Sequence, residues 1–157
     1  MNETPNYAFW HVPLSRGSMT MREAAADLAR ISVASPDDIP LMVRLAENPK
    51  FNIFHGSVTL ATHDHIHALL GRGLLAKDEA FVVGFTMGST HRLGATEEKL
   101  FEMIAEHLYP GIFRFSKEDV HIFRDAVRLA FISDVQALDR VDYELSLIHI
   151  SEPTRPY

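Results

Sequence analysis

Five consecutive residues, His63-Asp64-His65-Ile66-His67, hold three of the chain's nine histidines, and the chain contains no cysteine. Thiolate metal sites and disulfides are therefore excluded, and a cation site has to be assembled from imidazoles and carboxylates. The same stretch constrains the fold. Histidines four apart share a face on a helix, where about 3.6 residues complete a turn. The segment from Thr59 to Leu70 reads as such a helix, and Gly71-Arg72-Gly73 reads as its stop and reversal. A second helix is expected from Ala76 to about Met87, with Lys77-Asp78-Glu79 in its first turn. Two helices joined by so short a turn must lie side by side, and that brings Glu79 back toward the histidines.

On the helical wheel His63 and His67 point the same way. Asp64 lies about 100° round from His63 and about 60° from His67, while His65 faces the far side. Asp64 can join the histidines as a ligand or orient an imidazole from behind. Two imidazoles with one or two carboxylates suit zinc first, with iron and manganese as alternatives, and leave a position for water or substrate. The same residues also suit a buried histidine pair hydrogen-bonded to neighbouring acids.

The remaining chain reads as further helices. Thr20 opens one, with Glu23 three residues on as a capping-box partner. Ser35-Pro36-Asp37-Asp38 starts another, which Asn48-Pro49 ends. Thr96 to Leu108 is strongly amphipathic, and Ser116 caps a helix with Asp119 standing in for the capping Glu. Residues 134–144 look like the beginning of one more. The run Ala80-Phe-Val-Val-Gly-Phe-Thr-Met-Gly88 is rich in strand formers, but Glu79, Val82, Val83 and Thr86 keep helical spacing, and Gly84 would let a neighbouring helix approach closely. The expected fold is all-α, a single-domain bundle of about six helices spanning 19–144, preceded by a loose arm at 1–18 that docks through Phe9 and Trp10.

Residues 145–157 stand apart. Leu145 to Arg155 reads LSLIHISEPTR, letter for letter the translation of a common transposase-end sequencing adapter. We expect this tail to be non-native and the natural C-terminus to be truncated near Glu144. His149 and Glu152 carry no functional expectation. A formal charge of -6 argues against a nucleic-acid partner, and no run approaches the roughly 20 apolar residues of a membrane span. The first residues lack the apolar core of a signal peptide, and cysteine absence suits a cytoplasmic setting.

His63-Asp64-x-x-His67, eleven intervening residues and Glu79 together resemble the signature of the ubiquinone-biosynthesis family called Coq-four. His67-Ala-Leu-Leu-Gly71, Leu74 to Gly84, Arg124-Asp-Ala-Val-Arg128-Leu-Ala and Asp142-Tyr143-Glu144 extend the similarity, over about residues 30–144. The resemblance implies an all-α, peripheral membrane protein that binds a divalent metal through His63, Asp64, His67 and Glu79. It also implies action on the aromatic ring of a prenylated quinone precursor, by decarboxylation with hydroxylation, and organisation of other ubiquinone-biosynthesis enzymes. A homo-oligomer is compatible with it. Met42, Phe81, Phe85, Phe101, Ile104 and Phe123 are candidates to line a channel for the prenyl tail, or else form ordinary core.

Other residues suit smaller roles. His55 is a candidate extra ligand, and His91-Arg92 a candidate anion contact near the site. His107 and His121 are expected to be exposed, Arg124 and Arg128 to be solvated or paired with Asp125, and His11 to have no role. A phosphohydrolase of the HD type would recruit His55 and Asp119 or Asp125, leaving His67 and Glu79 unused. A non-catalytic scaffold could use the metal only to staple two helices. A zincin protease fits poorly, because Asp64 is shorter than the Glu that motif requires.

Overall fold

In the computed structural model, residues 10–12, 18–31, 54–109, 111 and 114–143 are described. They form five α-helices: α1 (Met21–Ile31), α2 (Leu60–Leu70), α3 (Ala76–Ser89), α4 (Ala95–His107) and α5 (Lys117–Ile132). A single 3-10 turn follows at Leu138–Arg140. The described residues contain no sheet, and the class is all-α. The helix expected from Ser35, with Met42, and the aromatic Phe9 fall outside the described residues, as does the tail.

Local chemistry explains where the helices begin and end. Thr20 and Glu23 make a capping box, with the Thr20 hydroxyl donating to the carboxylate at 2.9 Å and accepting from the Glu23 amide at 3.2 Å. Thr59 accepts from the Thr62 amide to start α2, and Ser116 with Asp119 forms the expected box at α5. Gly71 ends α2 at φ 62, a left-handed conformation that a residue without Cβ adopts without penalty.

One close approach organises the helices. A Cβ on Gly84 would lie 2.4 Å from the Phe123 carbonyl oxygen, and one on Gly88 would lie 2.5 Å from that of Val127. Both contacts advance by four residues in the same direction, so α3 and α5 run parallel. The stripe Ala80, Gly84, Gly88 on α3 is the groove into which Phe123, Ala126, Val127 and Ala130 of α5 fit. The strand-forming residues of this segment are thus helical because their small neighbours admit a helix against them.

Three apolar clusters fill the interior. Ala80, Met87, Phe101, Ala105, Phe115, Phe123 and Val127 join α3, α4 and α5. Ile66, Val82, Phe85, Ala126, Ala130, Leu138 and Tyr143 join α2, α3, α5 and the C-terminal turn. Trp10, Met21, Ala24, Leu28 and Ala68 join the N-terminal strip, α1 and α2. Helix α2 is therefore held from two sides, by Ala68 toward α1 and by Ile66 toward α3. That double purchase fixes the rotation of α2 and hence the direction of its histidines.

One expectation is corrected here. Residues 134–144 do not start a full helix among the described residues. The Leu138 amide donates to the Ser89 hydroxyl at 3.0 Å and the Tyr143 hydroxyl donates to the Leu138 carbonyl at 3.0 Å, so hydrogen bonds fold the segment onto the end of α3. Of the residues expected to line a channel or form ordinary core, Phe101 stacks on Phe123 with ring centroids 4.8 Å apart, and Phe85 and Ile104 are buried, as core side chains are. Phe81 is partly buried and borders an open groove.

Candidate metal centre

The reversal at Gly71–Gly73 places the first turn of α3 beside α2, as the short connection requires. A Cβ at Gly73 would meet the Trp10 carbonyl oxygen at 2.7 Å, so only glycine lets the N-terminal strip pack over this turn. Arg72, between the two glycines, lays its guanidinium 3.7 Å from the centre of the Phe81 ring.

Three of the four expected ligands converge. The Nε2 atoms of His63 and His67 lie 2.9 Å apart. Glu79 puts Oε2 3.0 Å from His63 Nε2 and Oε1 3.2 Å from His67 Nε2. These ligand atoms all fall within 4.8 Å of one another and could hold a metal ion. His67 is fully buried, whereas the side chains of His63 and Glu79 are 22% and 29% exposed. The histidine thus forms a buried floor, with a rim open to solvent.

Asp64 is not among the converging atoms. Its short side chain leaves α2 about 100° round from His63. It remains within electrostatic reach: burial raises its carboxyl above the ordinary value, and the imidazoles of His63 and His67 oppose that rise. Glu79 behaves the other way. Burial pushes its carboxyl up, but the charges and hydrogen bonds of His63 and His67 outweigh burial and hold it well below the carboxylate range.

Each imidazole nitrogen has one in-plane position, occupied by a hydrogen or by a lone pair. With Glu79 ionised, the three contacts cannot all be hydrogen bonds: if both Nε2 atoms donate to the carboxylate, their hydrogens face each other, and if His63 Nε2 accepts from His67, its lone pair faces the carboxylate. A cation could instead be held by both nitrogens and the carboxylate. The His67 proton would then sit on Nδ1, which is buried and has no hydrogen-bond partner among the described residues.

The other candidates are elsewhere. His55 is held by Glu97, its ring Nδ1 at 2.8 Å from Oε2 and its backbone amide on Oε1. Asp119 is committed to the capping box, and Asp125 is an exposed partner of Arg128 at 3.2 Å. His91 and Arg92 are not near the cluster. They follow the far end of α3, about 15 Å along the helix from Glu79, and the His91 ring sits against Phe131 at 5.0 Å. His65 faces away, with Nδ1 2.6 Å from the Ala61 carbonyl and its ring 5.6 Å from Tyr143. His107 and His121 are exposed. Arg124 is a correction: its Nε and Nη2 donate to Oε1 and Oε2 of the buried Glu102 of α4, each at 2.6 Å, in place of a pairing with Asp125.

Sequence reasoning overlooked Tyr109. Its phenol is pushed up to about 12 by burial, with the negative charge of Glu79 adding to the shift. Nothing in the spacing pointed to it, because it comes thirty residues after Glu79 and serves locally as a helix terminator. Among the described residues, one open groove of about 370 Å³ lies beside His65 and Tyr143 and another of about 350 Å³ beside Arg72 and Phe81. Neither is lined by His63, His67 or Glu79.

Fold and site together define an all-α protein with a two-histidine, one-glutamate cluster able to hold a metal ion. Compared with known proteins, the chain matches no family model, no curated protein and no solved structure. Among the described residues no helix is long and apolar enough to cross a membrane.

Proposed function

We propose that this chain is a metal-dependent protein of ubiquinone biosynthesis, acting on the ring of a prenylated aromatic precursor. The observation that supports the metal is the convergence of His63 Nε2, His67 Nε2 and the Glu79 carboxylate, an arrangement that could hold a cation. The ring substrate rests on the similarity of His63-Asp64-x-x-His67 and Glu79 to the Coq-four motif. When bound, the metal would polarise a ring-substituent oxygen and stabilise negative charge as carboxylate leaves. His67 anchors it from the buried side, and Glu79 lowers the net charge of the site. Asp64 adds a second negative group beside the histidines. The proposed setting is the membrane surface, with other enzymes of the same pathway as partners.

The test is bound metal per chain in wild type, Glu79→Gln and His67→Ala. Loss of metal in both variants, with helical circular dichroism retained in Glu79→Gln, supports the site. Full metal retention by His67→Ala overturns it. Carbon dioxide release from a prenylated hydroxybenzoate then separates a ring decarboxylase from a metal-stapled scaffold.

A further inference from the structure

Helix α4 packs on one side and leaves the other bare. Phe101 and Ala105 are buried in the cluster shared with α3 and α5, Ile104 is buried with them, and Glu102 is tied to Arg124 of α5. The outward side carries Thr96, Leu100, Met103 and His107. Leu100 is 38% and Met103 50% exposed, and Thr96 and His107 are exposed at the two ends of the row. The His107 ring is held along the row by its Nδ1, which donates to the Met103 carbonyl at 3.2 Å. Single exposed apolar side chains are ordinary. This row differs because it advances by four, three and four residues, the spacing with which the a and d positions of one helix seat against another.

Charge says what covers the row. Lys99 and Glu106 flank it on one edge, seven residues apart and so at the same heptad position. Among the described residues neither has a hydrogen bond or an ion pair; Glu106 only adds to the field at Arg124, whose partner is Glu102. Two parallel copies would set Lys99 against Ile104. Two antiparallel copies, related by a two-fold axis between residues 101 and 102, set Leu100 against the partner's Met103, Thr96 against the partner's His107, and Lys99 against the partner's Glu106, each contact made twice. We infer that α4 is a self-association face on which a second copy of this chain lies antiparallel, the reciprocal Lys99–Glu106 pairs selecting that orientation. The apolar end of α5 is more exposed, with Ile132 at 82%, but the charges beside it, Asp125 and Arg128, already pair with one another at 3.2 Å. The α4 seam is short. Its 13 residues span about 20 Å, so the contact falls below the roughly 1,000 Å² of a stable interface and supports a weak, reversible dimer. No residue of the metal cluster lies on α4, so association and metal binding are separate properties.

Sedimentation equilibrium over a concentration series tests this, with circular dichroism confirming the helical fold of each variant. The proteins compared are wild type, Lys99→Glu, Glu106→Lys, the double variant carrying both changes, and Ile132→Asp. Wild type should pass reversibly from monomer to dimer as concentration rises. Each single charge reversal places like charges together on both sides of the axis and should weaken the dimer by about fivefold or more. The double variant restores opposite charges and should return to within about twofold of wild type. Ile132→Asp should associate like wild type. A wild type that stays monomeric throughout would overturn the self-association face, as would a dimer that Ile132→Asp alone abolishes. Failure of the folded double variant to recover would overturn the antiparallel pairing.

Discussion

Replacing Gly84 with alanine tests the packing on which the site depends. The new Cβ would sit 2.4 Å from the Phe123 carbonyl oxygen and 3.1 Å from Ala126 Cβ. Ordinary contact begins near 3.4 Å. The blocking atom belongs to the backbone of α5, so no side-chain rotation relieves it, and the helices must part by about 1 Å. A gap of that order forfeits roughly a quarter to a half of each affected dispersion contact. Overpacking of this kind costs about 1–3 kcal/mol, while alanine recovers about 1 kcal/mol of helix propensity over glycine. The net expectation is destabilisation by about 1 kcal/mol, within a range of about 0–2, or a Tm about 2–4 °C lower for a chain of this size. Gly94→Ala is the steric control, because nothing lies within 4 Å of its added Cβ; it loses only N-cap preference, on the order of 0.5–1 kcal/mol. Calorimetry with urea unfolding reads both. Because α3 also carries Glu79, metal affinity should fall with stability in Gly84→Ala. A Tm equal to or above wild type would refute the close parallel approach of α3 and α5.

Arg124→Ala should destabilise by about 1–2 kcal/mol because it leaves the buried Glu102 carboxylate without its two donors, a figure discounted for the partly exposed guanidinium. A double-mutant cycle with Glu102→Gln should show coupling between the two positions, and simple additivity would count against the ion pair. Tyr109 and Tyr143 should ionise late, with phenols pushed up to about 12 by burial, aided by Glu79 and Asp139 respectively. The neutral phenol is the form the fold favours, so this contribution is intact below pH 10 and is lost as pH rises through about 12. Ultraviolet titration of the phenolates checks it, and ionisation of every tyrosine together near 10 would be the wrong outcome.

Much of the architecture was legible in the chain because it is set by neighbours in sequence. Thr20 with Glu23, Ser116 with Asp119, and Gly71 at its positive φ each mark a helix end through cap contacts to residues three or four positions away. The pairing of His63 with His67 follows from helix pitch, and the inclusion of Glu79 follows from the brevity of the reversal. Helix over strand for Ala76–Ser89 was decided by spacing at Glu79, Val82, Val83 and Thr86, and the all-α class with it.

Tertiary structure decided what depends on distant partners. Sequence spacing left Asp64 open as a ligand or as a group orienting an imidazole, and the rotation of α2, held by Ala68 and Ile66, turns the two imidazoles onto Glu79 without Asp64. His91 looked close to the site because a loop has no direction in sequence, and the length of α3 carried it away. The 3-10 turn after Val135 depends on Ser89, whose hydroxyl reaches a segment forty-nine residues later. Arg124 found Glu102 across the interface of α4 and α5 in place of its chain neighbour. The buried apolar residues could be listed from the chain, but that Phe101 stacks on Phe123 was decided only by how the helices pack. Short-range hydrogen bonds and helical pitch are encoded within a few residues, whereas side-chain direction at the site is set by the sum of contacts from other helices.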